Sequence, residues 1–474
     1  MIVHKFGGTS VGSAERFART ANIIVEQHGR QGGDASPAKT VVVVSAMSGV
    51  TSRLVAGARA AADGRDGLGR EIKAEMLARH LEAAETLLPP GAERLSLCGL
   101  VEDRLHELER LYRSIALLGE LTARGLDAVA SFGEPLAAAL LAAVLRERGL
   151  RSLSLTADGL LVTDDRFGAA APLMEPTRLR LEKRVRPLLE RGVLPVITGY
   201  IAATDRGVVT TLGRGGSDFS AAVIGAALGA DEVWIWSDVD GIMTADPNLV
   251  PRARTLEELS YAEASSLAYY GADVLHPKTI RPLIERRIPL RILNSFNPAH
   301  PGTLIVDKPD PAREHRPAII STTGLSLVVL GTSDDSWAPA LAARALRRLS
   351  EAGVEVLMFS QAFSEHSLNL VVRDQDGAHC LKVLERRFAR RGGRSAVGLE
   401  IRERVATVSV AGGADWNGRG LVSHAFAALG RLGTRVIAVA QAAGERGVSF
   451  CIPDSETAET VRFLHSELGL EARP

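Results

Sequence analysis

Short apolar runs alternate with helix-like periodicity over the first 300 residues of the chain. Phe17, Ala21, Ile24 and Val25 recur at the spacing of one helical face, directly after the first apolar run. The alternation predicts an open, mostly parallel sheet with helices on both faces, in which ligands collect at the carboxyl ends of the strands. The predicted strands cover residues 2–3, 41–44, 193–197, 208–211, 233–236 and 288–293.

One stretch, at about residues 70–125, departs from this alternation. Its apolar residues follow a helical stripe with charged residues between them, and the stripe consists of Val101, Leu105, Leu108, Tyr112 and Ile115. We expect a helical insertion that packs onto the sheet domain or onto a dimer partner.

Five prolines between residues 298 and 317 mark the expected end of the sheet domain. Beyond them, three segments repeat at a constant offset of 80 residues: 327–330 with 407–410, 350–361 with 430–441, and 367–372 with 447–452. Each copy has the pattern strand, helix, strand, strand, helix. We predict two paired small α/β units, because one copy alone would have a thin core.

Composition narrows the class of protein. The 56 Lys and Arg residues balance the 56 Asp and Glu residues, so we expect neither a nucleic acid nor a membrane surface as partner. Cys98, Cys380 and Cys451 are far apart and show no metal-ligand spacing. We expect a cytoplasmic protein with reduced cysteines, no signal peptide and no transmembrane segment.

Residues 5–10, with the sequence KFGGTS, follow the first predicted strand. The two glycines allow backbone N–H groups to approach an anion closely, and the next helix offers its positive end. From the strand end, Lys5 is placed to reach the same anion. A tight turn after a strand explains these residues equally well, so this loop alone leaves both alternatives open.

Residues 211–218, with the sequence TLGRGGSD, form a second glycine-rich loop. Ser217 and Asp218 are typical of the start of a helix. Arg214 lies between glycines, where a guanidinium is well suited to hold a carboxylate or a phosphate through two hydrogen bonds.

Two further loops contain acidic residues. Residues 237–247 contain three aspartates that do not match the EF-hand register, so they either bind a ribose or magnesium or cap turns. In residues 131–135, SFGEP, Glu134 is either an ordinary acid at a helix start or a ligand for an ammonium group.

Together, the residues of the four loops are suited to phosphoryl transfer. We expect all four at the carboxyl ends of strands, along one edge of one sheet, where a lysine, an arginine, acids and free amides would meet. The sequence contains no Walker A motif, no protein-kinase HRD or DFG motif, and no GxGxxG after the first strand.

The motifs KFGGTSV, SFGE, TLGRGGSD, WSDVDGIMTADP and VLHPKT, in this order, resemble those of aspartate kinase, a member of the amino-acid kinase superfamily. The resemblance covers the whole chain, because the repeat resembles the tandem, ferredoxin-like ACT domains of that family. It implies ATP-dependent phosphorylation of the L-aspartate β-carboxylate to 4-phospho-L-aspartate. This is the first step toward lysine, threonine and methionine.

The resemblance also implies roles for individual residues. Lys5 and Asp218 would be catalytic, and Ser45, Glu134 and Arg214 would bind aspartate. Mg²⁺ is expected with ATP, although the sequence identifies no protein ligand for it. The residues implied in ATP binding are Lys5, Gly7, Gly8, Thr9, Ser10, Ser237, Asp238, Met243 and Asp246.

Domain limits and partners follow from the same resemblance. The kinase domain would span 1–305, a linker 306–322, and two ACT units 323–398 and 399–474. The final strand of the chain can return to the first ACT unit in this family, so an interleaved pair is the alternative. We expect a homodimer through the ACT units.

The resemblance further implies an amino-acid effector, threonine or lysine. Residues 359–372 resemble threonine-regulated kinases fused to homoserine dehydrogenase, but the sequence ends at Pro474 and we expect no dehydrogenase, which leaves the effector open. Gln361 and Gln441 lie at equivalent repeat positions. They either contact the effector or are surface glutamines at strand ends.

Two positions depart from the family pattern. Asn248 replaces a frequent arginine after Asp-Pro, and Asp273 replaces a frequent lysine before Val-Leu-His-Pro. Both remove positive charge, so we expect a weaker or altered grip on ATP.

Two rival hypotheses compete with an allosteric aspartate kinase. One is a sister kinase that acts on another carboxylate such as glutamate; the paired repeat and the SFGE loop argue against it. The other is a non-catalytic amino-acid sensor; the presence of Lys5, Arg214 and Asp218 argues against it.

Overall fold

The computed structural model describes residues 1–31, 39–269, 275–310, 316–332, 339–362, 366–388, 397–412, 420–441 and 447–471. The chain divides into two compact units. The first unit comprises Met1–Ile242, Glu257–Tyr261 and Val274–Pro309, and the second comprises Met243–Leu256, Ala262–Asp273 and Asp310–Pro474.

An eight-stranded sheet forms the centre of the first unit. The strands of this unit are β1 (Ile2–Phe6), β2 (Thr40–Val44), β3 (Ser152–Leu155), β4 (Val162–Thr163), β5 (Leu194–Thr198), β6 (Ile201–Thr204), β7 (Val209–Thr211), β8 (Glu232–Ser237), β9 (Glu258–Ser260), β10 (Leu290–Asn294) and β11 (Thr303–Val306). The order in the large sheet is β3-β5-β2-β1-β8-β10-β11-β9. Every neighbouring pair in it is parallel except β10 with β11. The predicted fold class is therefore confirmed.

The helices up to residue 310 belong to the first unit, except that one of them, Tyr261–Tyr269, falls almost entirely within the second. In chain order they are α1 (Ala14–Gln31), α2 (Val50–Ala62), α3 (Asp66–Leu87), α4 (Ala92–Leu118), α5 (Ala123–Ala130), α6 (Gly133–Glu147), α7 (Met174–Arg184), α8 (Arg186–Glu190), α9 (Gly216–Leu228), α10 (Tyr261–Tyr269) and α11 (Pro277–Arg286).

The alternation along β1 determines which helix each of its side chains meets. Phe6 belongs to the large core cluster that includes side chains of α1 and α6. Val3 points to the opposite face, because side chains alternate along a strand. There α9 approaches closely: a Cβ on Gly225 would lie 2.6 Å from Cγ2 of Val233 and 3.8 Å from Cγ2 of Val3. Lys5 shares the face of Val3 and therefore points toward α9.

The apolar stripe predicted between residues 70 and 125 forms the buried face of α4. Its tyrosine, Tyr112, donates a hydrogen bond of 2.9 Å to the carbonyl of Leu54 in α2. The stretch Ala123–Glu147 is apolar and long enough to cross a membrane, but 78% of its most apolar window is buried inside the structure. A buried core helix accounts for such a segment.

Two of the four loops do not lie where the sequence suggested. The loop with Glu134 follows a helix, α5, not a strand. Thr122 caps the start of α5, since its side chain accepts a hydrogen bond from the N–H of Gly125. The loop with Arg214 follows β7, which belongs to a separate three-stranded sheet of order β4-β6-β7. The expectation of one edge of one sheet was wrong, because helix starts and a second sheet also contribute to this region.

The second unit is built on a six-stranded antiparallel sheet. Its strands are β12 (Ala318–Thr332), β13 (Met358–Ala362), β14 (Ser367–Arg373), β15 (Val397–Ala411), β16 (Ala438–Gln441) and β17 (Gly447–Pro453), in the order β13-β14-β12-β15-β17-β16. Its main helices are α12 (Pro339–Glu351), α13 (Asp374–Phe388), α14 (Leu421–Leu432) and α15 (Thr457–Glu467). Each copy of the repeat has the predicted order of strand, helix, strand, strand, helix.

The two long strands β12 and β15 belong to both copies of the repeat. Ile319 of β12 packs into the core of the second copy, with Val410 and side chains of α14 and α15. Leu399 and Ile401 of β15 pack against the core of the first copy. The final strand, β17, pairs with β15 and β16, so the copies interleave through their first strands, not through the last.

The strand ends also bear on the expected domain limits. Because β11 ends at Val306 and β12 begins at Ala318, the expected linker 306–322 overlaps both strands. The expected limit between residues 398 and 399 falls inside β15.

Candidate active site

A cavity of about 650 Å³ lies in the first unit, lined by the loops that the sequence singled out. Residues of the KFGGTS loop, of the segment after β2, of the start of α6 and of the loop before α9 meet there. The lining residues are Lys5, Gly8, Thr9, Ser45, Ala46, Met47, Ser48, Gly49, Thr51, Ser52, Glu134, Gly168, Tyr200, Gly213, Arg214, Gly215, Gly216, Ser217 and Asp218.

A buried ion pair crosses the cavity wall. Nζ of Lys5 lies 2.5 Å from Oδ1 of Asp218, and the two side chains are 10% and 16% exposed. The two charged groups are close enough for an ion pair, but the geometry is not that of a hydrogen bond from Nζ to Oδ1. Lys5 reaches Asp218 because β1 directs it to the face covered by α9, and Asp218 lies in the first turn of that helix.

Glu134 is a second acid in the cavity, in a different electrostatic state. Burial raises its pKa from 4.5 to about 8, against the hydrogen bond from Ser217 and the positive charge of Lys5. Oγ of Ser217 donates to Oε1 of Glu134 at 2.7 Å, whereas the buried Oε2 has no hydrogen-bond partner. A carboxylate with a free buried oxygen is suited to bind a cationic donor such as an ammonium group.

Arg214 is the exposed cation of the lining. Its neighbours Gly213 and Gly215 have φ values of 77° and 67°, a region that favours glycine. A Cβ on Gly215 would also lie 2.7 Å from Cβ of His276. The loop therefore needs glycine on both sides of the arginine, and the turn presents the guanidinium at the cavity mouth.

Three helices begin at this cavity. The lining includes Thr51 and Ser52 of the first turn of α2, Glu134 of α6, and Gly216–Asp218 of α9. The free N–H groups and the dipole of a helix start favour negative charge. With Lys5 and Arg214, they make the cavity a site for an anionic ligand, and Glu134 adds one place for an amine.

Several lining residues carry no signal in the sequence. The sequence suggests only a helix start at Ser217, but in the structure the hydroxyl of Ser217 orients Glu134. Thr51 and Tyr200 come from segments without a recognisable motif. The backbone geometry at Tyr200, with φ of 51°, is unusual for a residue other than glycine, and only a structure reveals it.

Asp127 is a further residue that sequence analysis missed. It is buried, and its carboxylate accepts hydrogen bonds from the N–H of Gly168 (2.9 Å) and from both the N–H (2.9 Å) and the hydroxyl (2.7 Å) of Thr211. It thereby joins α5 to β7 and to the wall segment around Gly168. No motif marks it, because its partners are distant in sequence.

Six of the residues implied in ATP binding lie outside the cavity lining: Gly7, Ser10, Ser237, Asp238, Met243 and Asp246. The hydroxyl of Ser10 lies 2.8 Å from that of Ser295, and the N–H of Gly7 donates to the carbonyl of Trp236. In the first unit, Ser237 is the last residue of β8 and Asp238 follows it, whereas Met243 and Asp246 belong to the second unit. Asp246 accepts hydrogen bonds from the backbone and side chain of Asn248.

The described part of the chain contains no group of three or more His, Cys, Asp or Glu side chains arranged to hold a metal ion. Asp218 and Glu134 are the carboxylates of the lining. Such a site fits Mg²⁺ only as an ion that arrives on nucleotide phosphates and takes one or two protein oxygens. Asp273 lies outside the described residues.

The two glutamines of the repeat lie on the edge strands of the second unit, Gln361 on β13 and Gln441 on β16. Nε2 of Gln361 is buried without a hydrogen-bond partner, whereas Gln441 is exposed. Gln361 therefore has an unused donor, which a bound polar ligand would satisfy.

Comparison with known proteins agrees with this geometry. The model of the amino acid kinase family matches residues 1–294, and that of the ACT domain matches residues 337–388 and 408–468. The chain is 33% identical over 477 residues to the bifunctional aspartokinase/homoserine dehydrogenase 1, chloroplastic, of Arabidopsis thaliana, covering 99% of this chain and 51% of that protein. It is 32% identical over 479 residues to aspartokinase 2, chloroplastic, of the same plant, covering 98% and 83%.

Solved structures give the same result. Aspartokinase III of E. coli in complex with aspartate and ADP, in the R-state, has a TM-score of 0.81 at 27% identity, with 99% of this chain and 100% of that chain covered. The same enzyme in complex with lysine and aspartate, in the T-state, has a TM-score of 0.77 at 27% identity, with 99% of each chain covered. The chain spans about half the length of the bifunctional relatives that it matches.

Asp127→Asn should destabilise the first unit. An asparagine has one acceptor oxygen for three donors and turns an N–H₂ group toward at least one of them, so the free energy of unfolding should fall by about 2 kcal/mol. Urea denaturation followed by circular dichroism measures the change. Asp63→Asn is the control, because Asp63 is 63% exposed in a surface ion pair and should stay within about 0.5 kcal/mol of the wild type. Equal stability of Asp127→Asn and Asp63→Asn would contradict the role given to Asp127.

Proposed function

The chain belongs to the amino acid kinase family and, within it, to the aspartokinases, and we propose that it transfers the γ-phosphoryl group of ATP to the β-carboxylate of L-aspartate. The observation that carries the proposal is the cavity that places Lys5, Asp218, Glu134 and Arg214 together. Its charges match the two substrates, since cations face carboxylates and phosphates while one acid faces an amine. The aspartate and ADP bound by the E. coli relative support the same pair of substrates.

Aspartate is held by two of its charged groups, a carboxylate and the α-ammonium. Arg214 binds a carboxylate through its guanidinium, with Ser45 on the same ligand. Glu134 binds the α-ammonium group through Oε2, which has no hydrogen-bond partner among the described residues, while Ser217 fixes its other oxygen. Because the α-ammonium distinguishes an amino acid from a simple dicarboxylate, Glu134 provides selectivity for the substrate class.

The transfer needs no general base. A β-carboxylate oxygen of aspartate attacks the γ-phosphorus, the bond to the β–γ bridging oxygen breaks, and ADP leaves with the electron pair. The attacking group is already ionised at neutral pH, since an aspartate side chain has a pKa near 3.9. Lys5 neutralises charge on the transferred group, the amides of Gly8 and Thr9 hold phosphate oxygens, and Asp218 keeps Lys5 in place.

ATP arrives with Mg²⁺, which supplies charge neutralisation on the phosphates. Asp218 is the carboxylate of the lining placed to give it a protein oxygen. The resemblance to the family implies contacts with ATP also for Gly7, Ser10, Ser237, Asp238, Met243 and Asp246. By the resemblance to the family, Asn248 and Asp273 each replace a frequent cation, and this loss of positive charge supports a weaker or altered grip on ATP.

The ACT domains make the enzyme allosteric. We propose threonine or lysine as the effector, a homodimer formed through the ACT units and a cytoplasmic location. Lysine as effector is supported by the lysine complex of the E. coli relative, and threonine by the resemblance of residues 359–372 to threonine-regulated kinases. Gln361 offers the better contact, since its donor is buried and unused.

An aspartyl-hydroxamate assay tests the proposed activity. Hydroxylamine traps the acyl phosphate, so ATP and aspartate should yield a hydroxamate, whereas glutamate should not replace aspartate. Lys5→Met should lower kcat roughly 100- to 1,000-fold, because a charge that stabilises the transferred group is lost. Lys183→Met, an exposed lysine of α7, is the matched control and should keep the wild-type kcat. Wild-type protein that forms no hydroxamate with aspartate, at any effector concentration, would refute the proposal.

Aspartate binding should depend on pH through Glu134. In the protein without aspartate, the pKa near 8 keeps this group protonated at neutral pH, and the ammonium binds only the ionised form. Affinity should therefore rise up to about tenfold per pH unit between pH 6 and 8 and then level off, with about one proton released. The same raised pKa makes a contribution to folding stability that is full below pH 4.5 and lost as pH rises through 8.

Calorimetric titration in two buffers of different ionisation enthalpy measures both the affinity and the proton release. Glu134→Gln should bind aspartate more weakly and without this pH slope. Glu102→Gln, an exposed acid of α4, should behave as the wild type. A pH slope that persists in Glu134→Gln would rule out Glu134 as its source.

Gln361→Ala should weaken feedback inhibition. Loss of one hydrogen bond to the effector corresponds to about 1.4 kcal/mol, or roughly tenfold in the inhibitory concentration of threonine or lysine, with the uninhibited rate unchanged. The hydroxamate assay with each amino acid identifies the effector and measures the shift. Gln375→Ala, an exposed glutamine of α13, is the control. An unchanged inhibitory concentration in Gln361→Ala would exclude Gln361 as an effector contact.

A further inference from the structure

Arg79 of the helical insertion bridges two loops of the cavity. It lies in α3, and its Nη1 donates to the carbonyl of Ser48 at 2.9 Å while Nη2 donates to the carbonyl of Gly12 at 2.8 Å. Ser48 lines the cavity on the side of Ser45, and Gly12 lies two residues beyond the KFGGTS loop. One guanidinium therefore holds both the proposed aspartate side and the proposed phosphate side.

The two loops are in tight contact where Arg79 joins them. A Cβ on Gly8 would lie 3.0 Å from the carbonyl oxygen of Ala46 and 3.5 Å from the backbone nitrogen of Ser48. A side chain at Gly8 would therefore crowd the segment after β2, so glycine permits the close approach of the two loops. On the outer side, Arg79 fixes the separation of the two loops through two hydrogen bonds.

The bond to Ser48 also orients a peptide group. In a trans peptide, the carbonyl oxygen and the following N–H point in opposite directions. Because Arg79 holds the oxygen of Ser48, the N–H of Gly49 points away from α3. Gly49 lines the cavity and has φ of 81°, which favours glycine. The arginine therefore determines where a backbone donor at the start of α2 is directed.

A guanidinium suits this task better than other cations. Its planar fork presents two donors at a fixed angle, whereas an ammonium is a point charge on a flexible stem. Arg79 uses the fork on two neutral carbonyls, and within the described ranges it forms no ion pair with a carboxylate. Its role is therefore geometric, and its contacts are aimed at the loops, not at a charge on another helix.

We propose that Arg79 is a positioning residue for phosphoryl transfer, an inference that rests on the proposed function. Arg79 sets the separation between the phosphate loop, residues 5–10, and the aspartate loop, residues 45–49. It also sets the direction of the peptide group between Ser48 and Gly49. Without Arg79, aspartate keeps Arg214 and Glu134, and ATP keeps Lys5 and the amides of Gly8 and Thr9, so each substrate binds almost normally. The reaction requires both loops in their correct relative positions, and a misplacement of about 1 Å lowers the rate by up to about 100-fold.

Arg79→Met tests the proposal in the full-length enzyme. Methionine keeps the length and the apolar stem but has no donor. We expect kcat to fall roughly 10- to 100-fold, with the KM values for aspartate and ATP each changed less than about threefold. Arg79→Lys should recover part of the rate, because one ammonium replaces only part of the fork.

Arg53→Met is the matched control. Arg53 of α2 pairs with Glu75 of α3 at 2.6 Å, so it also joins the insertion to α2, but its side chain holds neither loop. If Arg79 only stabilised the fold, kcat would fall by similar factors in Arg79→Met and Arg53→Met. If Arg79 positions the loops, kcat falls only in Arg79→Met. Thermal unfolding of each variant separates lost stability from lost rate.

The outcomes are distinct. Wild-type kcat in Arg79→Met, or an equal loss in Arg53→Met, overturns the inference. If Arg79→Met does not fold, Arg79→Lys decides: a kcat at least about fivefold lower at unchanged melting temperature supports positioning, and an unchanged kcat overturns it. Absence of hydroxamate formation in the wild type is the failure of the proposed function, which the same assay reports separately.

Discussion

The ion pair between Lys5 and Asp218 is the interaction on which the rest of the site depends. Removing two charges from water is unfavourable, and the attraction between them offsets this only at close range. The range is set by the sheet: β1 directs Lys5 to one face, and α9 crosses that face closely enough to need Gly225. The register of one strand and the approach of one helix therefore position Lys5, the charge that we propose acts on phosphate.

Glu134, a second acid in the same cavity, differs from Asp218 in its surroundings. Glu134 and Asp218 are both carboxylates near Lys5, yet Asp218 is paired directly and Glu134 is buried with one oxygen free. Burial raises the pKa of Glu134. The two acids therefore differ, since Asp218 pairs with Lys5 whereas Glu134 has one oxygen available for a ligand. Two residues of similar chemistry thus serve different ends through their surroundings.

The fold class and the family could be predicted from the sequence, since the apolar runs, the glycine loops and the 80-residue repeat are local signals. The lysine and arginine of the cavity were also evident, because only one residue separates Lys5 from a glycine pair and Arg214 lies between two glycines. Asp127 and Arg79 were not, because their hydrogen-bond partners lie in other segments, and backbone carbonyls and amides leave no mark on a sequence. The position of the Glu134 loop was mispredicted, because an eight-residue helix precedes it where a strand was expected.

The sharing of β12 and β15 bears on how the duplicated half of this protein has evolved. Once each copy contributes the first half of its leading strand to its neighbour's core, neither copy retains a complete interior of its own. Deletion of one copy would expose apolar surface on the other, so the duplication is no longer reversible by simple loss. The pair has become a single inherited module, within which the two halves remain free to diverge in what they bind.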